Sequence, residues 1–80
     1  TLACAESLTA GNVQAMICAQ SGASQFFRGG ITAYDIAIKS RLLGVDATHA
    51  QTVNAVSPQV AREMAAGACQ LFDADIGLAT

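Results

Sequence analysis

Short apolar or β-branched runs at residues 2–6, 31–34 and 76–79 alternate with longer stretches of helical periodicity, and this constrains the fold more than any other feature. Strands separated by helices pair most readily in parallel, because the intervening helix carries the chain back across the sheet. The expected class is therefore α/β: a three-layer α/β/α arrangement around a mixed, largely parallel sheet. At 80 residues there is material for one core and not two. Apolar residues make up 52% of the chain and charged residues 12%, more core than so small a surface calls for. Residues 1–80 are accordingly read as the N-terminal part of a single larger α/β domain, with a homo-oligomer as one way to cover the apolar excess.

Helix boundaries follow from capping chemistry. Thr9-Ala10-Gly11-Asn12 is a turn, and Val13, Met16 and Ile17 then fall at helical spacing, giving a helix that ends near Gln20. A loop at 21–24 leads to a short turn at Gln25-Phe26-Phe27 whose rings are expected to pack inward. Asp35 is a good N-cap for a helix over 36–43, with Gly44 at its left-handed end. Asp46 caps a further short turn through His49, which is expected to face solvent. Ser57-Pro58 is the clearest helix start, a capping hydroxyl followed by proline where its missing N–H costs nothing. On that helix Val60, Ala61, Met64, Ala65, Ala68, Leu71 and Phe72 share one face, which should cover a sheet.

Several function classes are disfavoured. The net charge is −2 and the four Lys and Arg are scattered, so no basic stripe offers itself to nucleic acid. No apolar run reaches the ~18 residues of a membrane-spanning helix. Cys4, Cys18 and Cys69 lack metal-type spacing and read as buried reduced thiols of a cytoplasmic protein. His49 has no second ligand at metal spacing, so neither a metal nor a cofactor is expected.

Chemistry is best placed at Ser7, where the first strand hands over to a helix and backbone N–H groups face the turn. The competing reading is a simple helix cap at Ser7 or Thr9. Lys39 falls in the apolar arc of the 36–43 helix. It either lines a dry cleft, where desolvation favours the neutral amine able to take a serine proton, or pairs with Asp35 on a wet surface. Tyr34, at the end of the second strand, brings a phenol to the same rim or simply sits at a core edge. Glu6 is either a further polar group of the site, a partner for a cation, or a helix cap.

The segment Thr1-Leu2-Ala3-Cys4-Ala5-Glu6-Ser7-Leu8-Thr9-Ala10-Gly11 resembles the T-x-x-T-A-E-S-C-T-G-G of the CinA C-terminal domain family, the nicotinamide-nucleotide amidases. Phe27-Arg28-Gly29-Gly30-Ile31-Thr32-Ala33-Tyr34 is similar to the family's F-x-G-G-x-x-x-Y, Lys39 falls at the lysine of Y-S-N-E-A-K, and Leu43-Gly44-Val45 and Ala55-Val56-Ser57 resemble L-G-V and A-V-S. The resemblance implies a metal-independent hydrolysis of nicotinamide mononucleotide to nicotinate mononucleotide and ammonia. Ser7 would then be nucleophile, Lys39 general base and Tyr34 an assisting hydroxyl, with amides at Leu8 or Thr9 as oxyanion donors. It also implies a substrate pocket involving Glu6, Leu8, Thr9, Gly11 and Gly30, and a pyridine nucleotide as the small-molecule partner. Leu8 and Ala10 replace the family's Cys and Gly, and Asp35-Ile36 with Ile38 replaces S-N-E. These departures motivate the alternative of a non-catalytic, nucleotide-binding member.

Overall fold

The computed structural model describes residues 1–80 in the order β1 (Leu2–Glu6), α1 (Asn12–Cys18), a single 3₁₀ turn (Ala23–Gln25), β2 (Phe27–Thr32), α2 (Ile36–Leu43), α3 (Ala47–Thr52), α4 (Pro58–Phe72) and β3 (Ile76–Ala79). The three strands form one sheet in the order β2-β1-β3. Both pairings are parallel, with Ala5 opposite Ile31 on one side and Ala79 on the other. The class is α/β as expected, and no antiparallel strand is part of this sheet.

The strand order dictates the layers. The chain steps from β1 to β2 in one direction and then crosses back over β1 to reach β3. Right-handed crossovers taken in opposite directions put their helices on opposite faces. Adjacent residues of β2 record both neighbours: a Cβ on Gly29 would meet the Phe72 ring of α4, and one on Gly30 would meet Gln14 of α1. Consecutive strand residues face opposite ways, so α1 covers one face and α4 the other.

Strand β1 is buried on both faces, as the central strand of a parallel sheet must be. Ala3 and Ala5 belong to the main core with Ala33, Leu43, Val45, Ala50, Val60, Met64 and Ala68. Their methyl side chains let α4 lie close to the sheet. Cys4 takes the other face, where its thiol lies beside Gly30, and burial, with the Glu6 charge second and Cys18 third, pushes its pKa up to about 11. No helix is long and apolar enough to cross a membrane.

The capping signals hold closely. Asp35 accepts from Ile38 N at 2.7 Å, Asp46 from His49 N at 3.1 Å, and Ser57 from Val60 N at 3.1 Å, while Gly44 ends α2 at φ 71°. Five expectations are corrected. Strand β2 begins at Phe27, four residues before its β-branched stretch, because pairing with β1 recruits Phe27, Gly29 and Gly30, with Arg28 the extra residue at a register shift. Tyr34 therefore lies beyond the strand. The Phe26 ring is exposed, as is the Leu71 side chain on α4, and Cys18 is exposed at the end of α1.

Gly67, in the middle of α4, is the closest point of contact with α2: a Cβ there would overlap the carbonyl oxygen of Leu43. Gly67→Ala should gain about 1 kcal/mol of helix propensity. It should lose more to overpacking, typically about 1–3 kcal/mol, because the obstructing atoms are backbone. A urea-unfolding midpoint that falls is the expected result; one that rises would mean that α2 yields freely.

Candidate active site

Glu6 ends β1 and Ser7 follows it, and as neighbours the two face opposite sides of the sheet. Glu6 turns toward α1. Its carboxylate accepts from Gly11 N at 3.1 Å, Val13 N at 2.9 Å and Gln14 N at 2.9 Å, which are the orphan donors of the first turn. Burial acts to raise the pKa of this fully buried acid, but the Gln14 and Val13 amides and the Thr9 hydroxyl outweigh it and hold it at about 2. Glu6 is thus a cap reached from the sheet. It does not line the cavity beside Ser7, its carboxylate being engaged by amides at the start of α1.

Ser7 turns the other way, toward α2. Lys39 Nζ lies 2.9 Å from Ser7 Oγ and also donates to the backbone carbonyl of Tyr34. Only 1% of Lys39 is exposed, and its contact with Asp35 is not an ion pair, because the Asp35 carboxylate caps α2. Burial lowers the lysine pKa below its ordinary 10.5, with the Asp35 charge opposing. Lys39 is therefore enclosed at the cavity and is not on a wet surface.

Tyr34 takes part differently from expectation. Its ring is 74% exposed, with its centroid 5.8 Å from Lys39 Nζ, and its phenol bonds neither Ser7 nor Lys39. The backbone carbonyl, and not the hydroxyl, is what orients the amine. The reason is the early end of β2, which leaves Tyr34 in the connection to α2, with its carbonyl on the amine and its ring over it.

Ser7, Leu8, Tyr34 and Lys39 line one cavity of about 600 Å³, together with Thr80, Asn54, Val56 and Ser57 among others. It opens beyond the carboxyl ends of all three strands, where the chain leaves β1 toward one face of the sheet and β2 toward the other. That crevice is the usual binding position in an open α/β sheet. Thr9, Gly11 and Gly30 do not line it. The Thr9 hydroxyl bonds Thr80 Oγ1, Gly11 starts α1 at φ 101°, and Gly30 gives the Gln14 side chain room, a Cβ there falling 2.6 Å from Gln14 Cδ.

Helix α1 itself offers no oxyanion donors, since it begins at Asn12 and its first amides serve Glu6. The amides of Leu8 and Thr9 belong to the preceding turn, and neither donates to any acceptor in the chain. They are free to serve a group bound beside Ser7. No three His, Cys, Asp or Glu side chains come together as a metal-binding group. His49, expected in solvent, is half-buried with Nε2 3.0 Å from Ser57 Oγ. Ser57 was legible only as a cap; its place on the cavity wall required the tertiary structure.

The Glu6 pKa gives a pH prediction. A carboxyl held at about 2 in the fold and near 4.5 when unfolded stabilises the native state above pH 4.5, and that contribution is lost as pH falls through about 2. Its size is on the order of 3 kcal/mol. Glu6→Gln should remove most of it and flatten the acid limb of a stability–pH profile measured by urea unfolding. An unchanged limb would mean that the three amides contribute little.

The CinA C-terminal domain model matches residues 1–80. A CinA-like protein of Picosynechococcus sp. is 51% identical over 78 residues, covering 98% of this chain and 19% of that protein. A CinA-like protein of Mycolicibacterium vanbaalenii is 47% identical over 79 residues, covering 99% of this chain and again 19% of the relative. The chain thus spans about a fifth of the length of these curated relatives. Among solved structures, the competence-damaged protein (CinA) superfamily protein of Escherichia coli superposes with a TM-score of 0.87 at 35% identity, over 92% of this chain and 43% of that one. The competence/damage inducible protein CihA of Agrobacterium tumefaciens gives 0.87 at 32%, over 94% and 46%. Sequence along its whole length and the superposed fold agree that this chain belongs to the CinA C-terminal domain family.

Proposed function

We propose that the protein is a serine amidohydrolase that releases ammonia from the carboxamide of a pyridine nucleotide, with nicotinamide mononucleotide as the substrate that the family resemblance suggests. The observation that carries this reading is the 2.9 Å contact between Ser7 Oγ and a buried lysine amine. Amide hydrolysis needs an activated nucleophile, donors for the tetrahedral oxyanion and a proton for the leaving amine. Each has a candidate in the cavity.

With Lys39 neutral, one amine N–H donates to the Tyr34 carbonyl and the lone pair is left for the Ser7 hydroxyl proton. As Oγ attacks the carboxamide carbon, that proton passes to Nζ and negative charge gathers on the substrate oxygen. The Leu8 or Thr9 amide, both free of acceptors in the chain, would receive it. The C–N bond then breaks, Lys39 returns the proton to the departing ammonia, and an acyl-serine remains. Water attacks the acyl carbon, gives its proton to Lys39, and the carboxylate leaves as Ser7 recovers its own.

Ala10 bears on the non-catalytic alternative. It holds φ 53°, a left-handed conformation that glycine would adopt at no steric cost. The turn keeps its shape regardless, with Ala10 N donating to Ser7 O at 3.1 Å. The substitution of alanine at this position leaves Ser7 beside Lys39.

Ser7→Ala should reduce ammonia release from nicotinamide mononucleotide by roughly 10³-fold or more. Lys39→Met should do the same while leaving the unfolding midpoint no lower, because a buried amine is exchanged for an apolar chain of similar length. The rate should rise with pH through the folded pKa of Lys39, which lies below 10.5, since only the neutral amine can accept the serine proton. Undiminished turnover in Ser7→Ala would remove the nucleophile assigned here. Calorimetric binding of the nucleotide without ammonia release would instead favour a binding member of the family.

A further inference from the structure

Opposite the Ser7–Lys39 pair in sequence, the cavity wall is built by the α3–α4 connection and the first turns of α4, contributing Asn54, Ala55, Val56, Ser57, Val60 and Ala61. This wall is held firmly. Ala55 N donates to Ala50 O at 2.7 Å and Val56 N to Val53 O at 3.0 Å. Asn54 and Ala55 both take left-handed backbone, at φ 52° and 58°. Two successive non-glycine residues in that region carry a strain that tends to mark functional loops.

Ser57 is the polar centre of the wall, and its hydrogen-bond count is informative. A hydroxyl has one proton and two lone pairs. Val60 N takes one lone pair at 3.1 Å, and His49 Nε2, at 3.0 Å, takes either the proton or the second lone pair according to its tautomer. One hydrogen-bonding position is left in either case, on a residue that lines the cavity, and no other group of the chain fills it. The Asn54 amide, which both donates and accepts, is likewise without a partner in the chain. A carboxylate or phosphate could use only the donor form of Ser57. A ligand hydroxyl, itself donor and acceptor, suits both tautomers.

The cavity has room for such a group. At about 600 Å³ it falls in the range that encloses ligands much larger than a carboxamide. Leu8 and Val56, 80% and 79% exposed, line it with Tyr34, so the cavity offers apolar surface beside its polar groups. We infer that Ser57, backed by His49 and accompanied by Asn54, forms a subsite for the sugar hydroxyls of a nucleoside whose ring lies on the apolar surface. This rests on the amidase reading only for the choice of a pyridine ring; the hydroxyl subsite follows from the wall.

Nicotinic acid riboside and its 2′,3′-dideoxy form are suitable probes, because neither has an amide to lose and binding can be measured without turnover. Calorimetry on the protein should show the riboside binding about tenfold tighter, equivalent to ~1.4 kcal/mol. The ratio should fall to within about twofold in His49→Phe, which leaves the Ser57 cap in place, and in Ser57→Gly, glycine being tolerated at an N-cap. Ser57→Thr should retain it. Equal affinity for the two probes, no binding of either, or an undiminished ratio in both variants would overturn the subsite. Ammonia release is read separately. Ser7-dependent release with no hydroxyl preference sinks the subsite alone, and a preference that persists in a protein releasing no ammonia supports the subsite while sinking the amidase.

Discussion

A carboxylate at the end of the central strand holds the first βα unit together. Glu6 spends itself on the amide of Gly11 and two amides of the first turn of α1, a contact that ties the end of β1 to the start of the helix. Charge-assisted hydrogen bonds of this kind are about twice as strong as neutral ones, and here they act without competition from water. They also exclude a familiar arrangement. The positive end of α1 is neutralised from within the protein, which leaves the turn amides of Leu8 and Thr9, and not those of the helix, without an acceptor in the chain.

The position of the site follows from chain geometry before any chemistry is considered. Because β1 lies between β2 and β3 and the two crossovers run in opposite directions, the carboxyl ends of the strands open onto a crevice walled in part by α2 and the first turns of α4. Ser7 follows β1, Tyr34 and Lys39 follow β2, and Thr80 follows β3. Close approach of α2 to α4 at Gly67 sets the height of the helix that delivers Lys39. Polar groups are thus gathered from segments far apart in sequence onto one rim, while the alanines of β1 keep the layers beneath it thin.

Burial of Lys39 connects this packing to reactivity. An amine in bulk water is protonated at neutral pH and has no lone pair to offer, so an exposed lysine beside a serine would be a donor only. Enclosure shifts the balance toward the neutral form, and the Tyr34 carbonyl engages one of the remaining protons so that the lone pair can be directed. In the proposed mechanism the backbone would do what a carboxylate does in a histidine-based triad, orienting the base.

Much of this was legible in the chain itself. Asp35, Asp46 and Ser57 announce their helices because capping is a local interaction, settled within four residues, and the bounds of α2 follow from Asp35 and Gly44. Ser7 and Lys39 stand out because a serine at a strand end and a lysine in an apolar arc are each locally anomalous. Tyr34, Glu6 and His49 are different. Whether Tyr34 offers its phenol or its carbonyl depends on where pairing with β1 stops, whether Glu6 meets a substrate or a helix depends on which face of the sheet it takes, and whether His49 meets water or Ser57 depends on how α3 docks. Sequence determined the elements and the reactive residue types, since those rest on contacts between near neighbours. Only the tertiary structure decided which atom of each residue reaches the cavity, because that is fixed by pairing and packing between segments whose separation along the chain carries no record of their approach.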